Sequence, residues 1–195
     1  MTTTKTIGST GRDYTTLALY EAYLDTVSPL TDDHVGEMYN DTEFLNHATP
    51  VFAGHTTTGT NTITIRPATG EGFRDAASPV LRYDQSKGVG IRQTTGGSFK
   101  NMIYILESNV TLFGLQINID EPAGYIRGIA IGDNSANITT VIDSCIISSE
   151  DNHNNGLLSL IRGRPTCINT LFENAEANEN MFRSAGGGFP HPIAF

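Results

Sequence analysis

The chain has 195 residues and a formal net charge of −9, with 38% hydrophobic and 17% charged residues. Acidity of that size, without clustered Lys and Arg, excludes nucleic acid as a partner, because phosphate binding needs a basic surface. The length suits one domain, and the low charge with no Trp and seven Tyr fits a β-rich chain with an uncharged polar surface better than a compact α/β enzyme.

Met1 to Tyr14 holds one Lys and one Arg and no apolar core of a secretion signal, and no window of the chain is apolar enough to cross a bilayer. No membrane partner is expected. The protein is expected to start in a cytoplasm and to reach any other place by a route without a signal, such as assembly into a virus particle released by lysis.

Thr6 to Asp13 reads as turn chemistry, with two glycines among small hydroxylic residues. From Thr15 to Val27, Leu17, Tyr20, Leu24 and Val27 recur at helical steps with Glu21 and Asp25 on the other side. This predicts an amphipathic helix capped by Asp13 or Thr15. Ser28 to Asp33 breaks it with Pro29. Beyond it come short predicted strands at Val35 to Asn40, Thr62 to Arg66, Val80 to Tyr83, Gly88 to Gln93 and Met102 to Leu106, separated by Gly, Ser, Asn and Asp clusters.

Asn109 to Asn118 then begins a pattern that returns twice. Leu112, Gly114, Leu115 and Ile117 lie over Ile142, Ser144, Cys145 and Ile147, and these over Cys167, Asn169, Thr170 and Phe172. From Leu112 to Ile142 is 30 residues and from Ile142 to Cys167 is 25, within the range of stacking repeats. Each copy alternates as a strand that buries one face, and one strand cannot bury that face alone. Stacking the copies can. The predicted fold is therefore all-β: a short right-handed parallel β-helix over residues 35–174, preceded by an N-terminal segment and capping helix at 1–34.

A stacked solenoid exposes strand edges and an open core at its ends, so the helix is assigned as the N-terminal lid, with partner binding as its other reading. Residues 175–195 lose the pattern. There Gly186 to Gly188 precede an apolar, proline-stiffened end containing Phe189, Pro190, Pro192, Ile193 and Phe195. This tail either folds over the open end, docks on a neighbouring subunit or is an interrupted turn. Cys145 and Cys167 are offset by three in the hydrophobic register and are expected to be buried free thiols rather than a disulfide.

The opening Ile7 to Leu17, the strand-turn Gly36 to Asp41, the segment Ala68 to Gly72, Leu81-Arg82-Tyr83 and the turns at Asn109 to Leu112 and Asn137 to Thr140 together resemble the pectate-lyase-like right-handed β-helix proteins of tailed phages and prophages. The resemblance covers residues 6–174 and departs at the C-terminus, where such proteins usually continue for several more turns. It implies the fold. It does not fix activity, because that family holds lyases, hydrolases, tailspikes, fibres and decoration proteins.

A lyase of this kind needs acids for calcium and a base beside them, and a glycosidase needs two carboxylates facing one another. Asp133, Asp143, Glu150 and Asp151, with Arg162 or Arg164 as the basic member, are the candidates for carbohydrate or cation contact, but they fall on different turns and loops. Asp143 reads as an outward, solvated strand residue. His34, His47, His55, His153 and His191 show no metal spacing, so no metal or other cofactor is expected. The reading leans against an enzyme. It favours a non-enzymatic structural protein of a phage-type virion, a decoration, head-spike or fibre component. Its expected partners are copies of itself, as a trimer, and other virion proteins such as the major capsid protein. The alternative is a polysaccharide-degrading or glycan-binding tailspike-like protein, or its N-terminal fragment, that meets a host surface glycan.

Overall fold

The computed structural model describes residues 1–45, 48–55, 57–58, 60–79, 81–95, 100–120, 126–132, 137–150, 156–161, 163–174 and 182–184. β1 (Thr2–Ile7) comes first, then α1 (Leu17–Val27), and five three-strand turns follow. They are β2 (Asp33–Met38), β3 (Phe44–Leu45) and β4 (Val51–Phe52); β5 (Ile63–Pro67), β6 (Gly90–Gln93) and β7 (Lys100–Ile105); β8 (Val110–Phe113), β9 (Gln116–Ile119) and β10 (Ile126–Ile131); β11 (Ile138–Asp143), β12 (Ile146–Ser149) and β13 (Leu158–Leu160); and β14 (Gly163–Ile168), β15 (Leu171–Asn174) and β16 (Phe182–Ser184). Every named strand pairs in parallel, in three sheets: β1-β2-β5-β8-β11-β14, β3-β6-β9-β12-β15 and β4-β7-β10-β13-β16. The chain is a parallel β-solenoid.

The core is three stacked rows. Gly36, Ile65, Leu112, Ile142 and Cys167 stand in register on the first sheet. Phe44, Ile91, Ile117, Ile147 and Phe172 do so on the second, and Phe52, Ile105, Ile131 and Leu160 on the third. Burying each Leu or Ile contributes about 1.5–3 kcal/mol, and each row is dry only because the turns above and below cover it. The repeat alignment read from the sequence is the register of these rows. Its small-or-polar column, Gly114, Ser144 and Asn169, forms the corner between the first two sheets, with φ of 66°, 56° and 48°. Side chains without β-branching tolerate that left-handed backbone best, which is why glycine, serine and asparagine recur there.

At the N-terminus the structure departs from the predicted elements. Thr2–Ile7 is a strand, in register with Asp33–Met38, so pairing starts before the helix rather than after it. Its alternation is hidden because the inward position Lys5 meets no core. Its ammonium lies 5.5 Å from the Tyr23 ring centroid and 3.6 Å from Asp13. α1 is capped by Thr16, whose Oγ1 accepts the Leu19 N–H at 3.1 Å, not by Asp13 or Thr15. The face bearing Leu17, Tyr20 and Leu24 is buried in the same cluster as Met38, Phe44 and Phe52, as a lid on the first full turn would be. One predicted strand is not formed, at residues 81–83, and two that the sequence did not announce, Phe44–Leu45 and Val51–Phe52, are too short to show a pattern. The tail residues Phe189, Pro190, Pro192, Ile193 and Phe195 lie outside the described residues.

Both cysteines are buried free thiols. The register pairs Cys167 with Ile142, while the Cys145 carbonyl accepts the Leu171 N–H, so the two occupy different rows. Burial pushes the Cys145 thiol up to about 12 and the Cys167 thiol up to about 11. Thiolate is the reactive form, so neither is expected to react with a thiol-specific reagent in the native protein at pH 8. In denaturant without reductant both are expected to react, and a mass spectrum with fewer than two adducts would show a bridge.

Candidate functional site

The second sheet turns a polar row outward: Arg92, Asn118, Ser148 and Glu173 are consecutive partners across β6, β9, β12 and β15. Over one end of this row lies the long excursion between β5 and β6, which doubles back against the sheet. Gln116 fastens it, donating to the Asp84 and Gly88 carbonyls at 3.1 Å and accepting the Asp84 N–H at 2.9 Å. Asn40 and Gln85 bond side chain to side chain at 2.7 Å, and the Asn40 N–H donates to Glu71 at 3.2 Å. The excursion sits so close that a Cβ on Gly90 would fall 2.3 Å from Gln85 Oε1. A larger residue there would have to displace the Gln85 and Tyr83 side chains.

Row and excursion enclose a cleft of about 510 Å³, with four carboxylates (Glu43, Asp84, Glu150, Glu173) and two guanidiniums (Arg82, Arg92) in its lining. Most of these charges are already engaged by the walls. Tyr83 donates its hydroxyl to Glu43 at 2.7 Å, and burial, then that bond and the Glu43 charge, push the phenol above its ordinary range, so it stays protonated. Arg92 pairs with Asp120 and lies 3.8 Å from Glu43. Burial works against its charge, but the bond and charge of Asp120, with Glu43, outweigh that and raise its pKa. Glu150 accepts from Asn118 Nδ2 at 2.7 Å, and Asp84 from Ser86 Oγ at 2.7 Å. Asn118 in turn accepts the Ser148 hydroxyl at 2.9 Å. A cleft of neutral polar groups and paired charges can hold a polar ligand such as a sugar.

Among the described residues singled out from sequence for carbohydrate or cation contact, Glu150 alone lines this cleft. Asp143 points outward and is half-buried at the corner: its Oδ1 accepts the Ser144 hydroxyl at 2.8 Å, and that hydroxyl also receives Arg74. Arg164 is exposed on β14 of the first sheet. The three are not brought together, and Asp133, Asp151 and Arg162 lie outside the described residues. Glu43, Tyr83, Arg92 and Asp120 were not visible as a set, because each comes from a different turn or loop and only the stacking unites them.

A second cluster lies beneath α1. His55, fully buried after β4, offers its backbone N–H to Glu107 Oε2 at 2.9 Å and its Nδ1 to Glu107 Oε1 in a short contact. Nε2 faces Asp25 Oδ1 at 3.3 Å and Glu21 Oε1 at 3.7 Å. Burial alone would lower the imidazole pKa, but the bond and charge of Glu107, with Asp25 and Glu21, raise it. Burial, then Asp25, raises Glu21. The only sequence signal was Glu21 and Asp25 four residues apart, one turn of one helix face.

The fold and the cleft define a parallel β-solenoid with a polar, acid-and-arginine-lined flank. No family model, no curated protein and no solved structure matches the chain.

Proposed function

We propose that the chain is a non-enzymatic structural module of a phage-type virion, a decoration, head-spike or fibre component that associates with copies of itself, as a trimer, and docks on other virion proteins such as the major capsid protein. The observation that carries it is an apolar corner exposed on a rigid rod. Phe113 and Ile168 point outward two strands apart in one row, with Asp143 between them, at 42% and 41% exposure. Leu81, 82% exposed, lines a mostly apolar gap of about 370 Å³ with Asn169, the neighbour of Ile168. The adjacent outward row of the first sheet, Val35, Thr64, Thr111, Val141 and Thr166, carries no charge. An uncharged outward row edged with apolar side chains suits lateral packing of identical solenoids. The virion setting rests on the resemblance of Ile7 to Leu17 and the later turns to phage β-helix proteins.

Sedimentation of the purified 21.0-kDa chain at micromolar concentration is expected to give three times the single-chain mass. Leu81→Ser, Phe113→Ser and Ile168→Ser combined are expected to return it to one chain without changing the circular dichroism, and deletion of residues 186–195 is expected to weaken assembly or particle binding. A monomeric wild type would overturn the reading.

The cleft favours a second reading, a module that binds a host surface glycan. Retention on immobilised polysaccharide that is lost in Arg92→Ala, with no release of reducing or unsaturated ends, would select it.

A further inference from the structure

The cluster under α1 has the geometry of a metal site rather than of a hydrogen-bonded triad. Glu21 and Asp25 project from one helix face toward His55, and the three donor atoms lie within 4.8 Å of one another. His55 Nε2 is fully buried yet has no hydrogen-bond partner. Its separations from Asp25 and Glu21, 3.3 and 3.7 Å, are longer than the roughly 2.7–2.9 Å of a charge-assisted N–H to carboxylate bond. The Asp25 separation falls in the spacing of about 3.3–3.6 Å that ligand atoms take around one tetrahedral ion with bonds of about 2.0–2.2 Å, and the Glu21 separation lies just beyond it. Glu107 supplies what such a site needs behind its histidine. Its two oxygens take the His55 backbone N–H and Nδ1, which fixes the ring and leaves Nε2 as the ligating nitrogen.

We propose that Glu21, Asp25 and His55 bind one divalent transition-metal ion of the zinc type, with Glu107 as the carboxylate that orients the imidazole. An imidazole with two carboxylates suits zinc and its neighbours, whereas calcium and magnesium require six or more oxygens, several of them from the protein or from water. Asp25 is 62% exposed, so the fourth position opens to solvent and a water completes the coordination. The ion joins α1 to the loop after β4. It therefore staples the helix to the first full turn of the solenoid, and its binding free energy becomes stability of the folded chain.

The test uses the full chain freed of metal with a chelator and then titrated with zinc chloride. One zinc per chain is expected to be retained through gel filtration, and zinc at about 100 times its Kd is expected to raise Tm by roughly 5–10 °C. Magnesium at the same concentration is expected to leave Tm unchanged. Glu21→Gln with Asp25→Asn, isosteric changes on the solvent side of the cluster, is expected to weaken zinc binding by roughly 100-fold or more while the circular dichroism is kept. Zinc that neither saturates nor shifts the wild-type Tm would overturn the site, as would equal affinity in that double variant. A magnesium shift as large as that of zinc would overturn the choice of ion.

Discussion

Leu112→Ala is expected to destabilise the fold by about 3 kcal/mol, a fall in Tm of roughly 6–12 °C for a chain of this size. Leu112 is fully buried in the middle row of the first sheet, with Ile65 on one side and Ile142 on the other. In a solenoid the cavity left by truncation is bounded by the turns above and below, both held in register by their own backbone ladders, so it cannot collapse freely. The control is one residue away. Phe113→Ala removes a larger side chain from the opposite face, 42% exposed, and should change stability of the isolated chain by less than about 1 kcal/mol. Chemical denaturation of both variants is the measurement. Equal losses would mean that the register of the first sheet is wrong, since a shift of one residue exchanges the two faces.

That contrast also marks what the sequence made legible. Repeats were visible from Leu112 onward because there each turn supplies two clean strands and a left-handed corner, so apolar and small residues recur in columns. Earlier turns hide the same architecture. β3 and β4 are two residues each, too short for a period, and the excursion between β5 and β6 stretches one turn far beyond the others. β1 escaped notice for another reason: Lys5 occupies an inward position beyond the last covered row, so alternation gave no signal there. Periodicity reports burial, and a strand at the rim is not fully buried.

Function was less legible than fold for a related reason. A solenoid flank is built from one residue per turn, so the row Arg92, Asn118, Ser148 and Glu173 is scattered through the chain at intervals of 26, 30 and 25 residues. No local motif can announce it. Asp143, Glu150 and Arg164 carry suitable side chains, but their chemistry alone does not give the register. Stacking then placed Glu150 in the cleft, Asp143 at a corner beside Ser144 and Arg164 on another sheet. The cluster under α1 is the extreme case, since Glu21, Asp25, His55 and Glu107 come from a helix and two loops that meet only because the helix closes the end.

Glu107→Ala is the other change expected to be severe, about 3–5 kcal/mol and roughly 10 °C in Tm, measured in chelator so that bound metal does not contribute. Glu107 is 8% exposed and His55 is not exposed at all, and both Glu107 oxygens are committed to that residue. Removing the carboxylate strands a buried backbone N–H and an imidazole facing Asp25 and Glu21 without its counterpart on the other side. The loss is therefore the cost of an orphaned buried partner rather than the net worth of the pair. A surface pair provides the comparison: Glu37→Ala, which breaks an exposed contact of 2.8 Å to Arg66, should cost less than about 1 kcal/mol. The double variant is the sharper test. If His55 is what Glu107→Ala orphans, then adding His55→Ala should cost much less than it does in the wild-type background, a coupling of about 1–3 kcal/mol. Strict additivity in denaturant melts would show that the two side chains act independently and that this contact does not link the loop after β4 to the loop after β7.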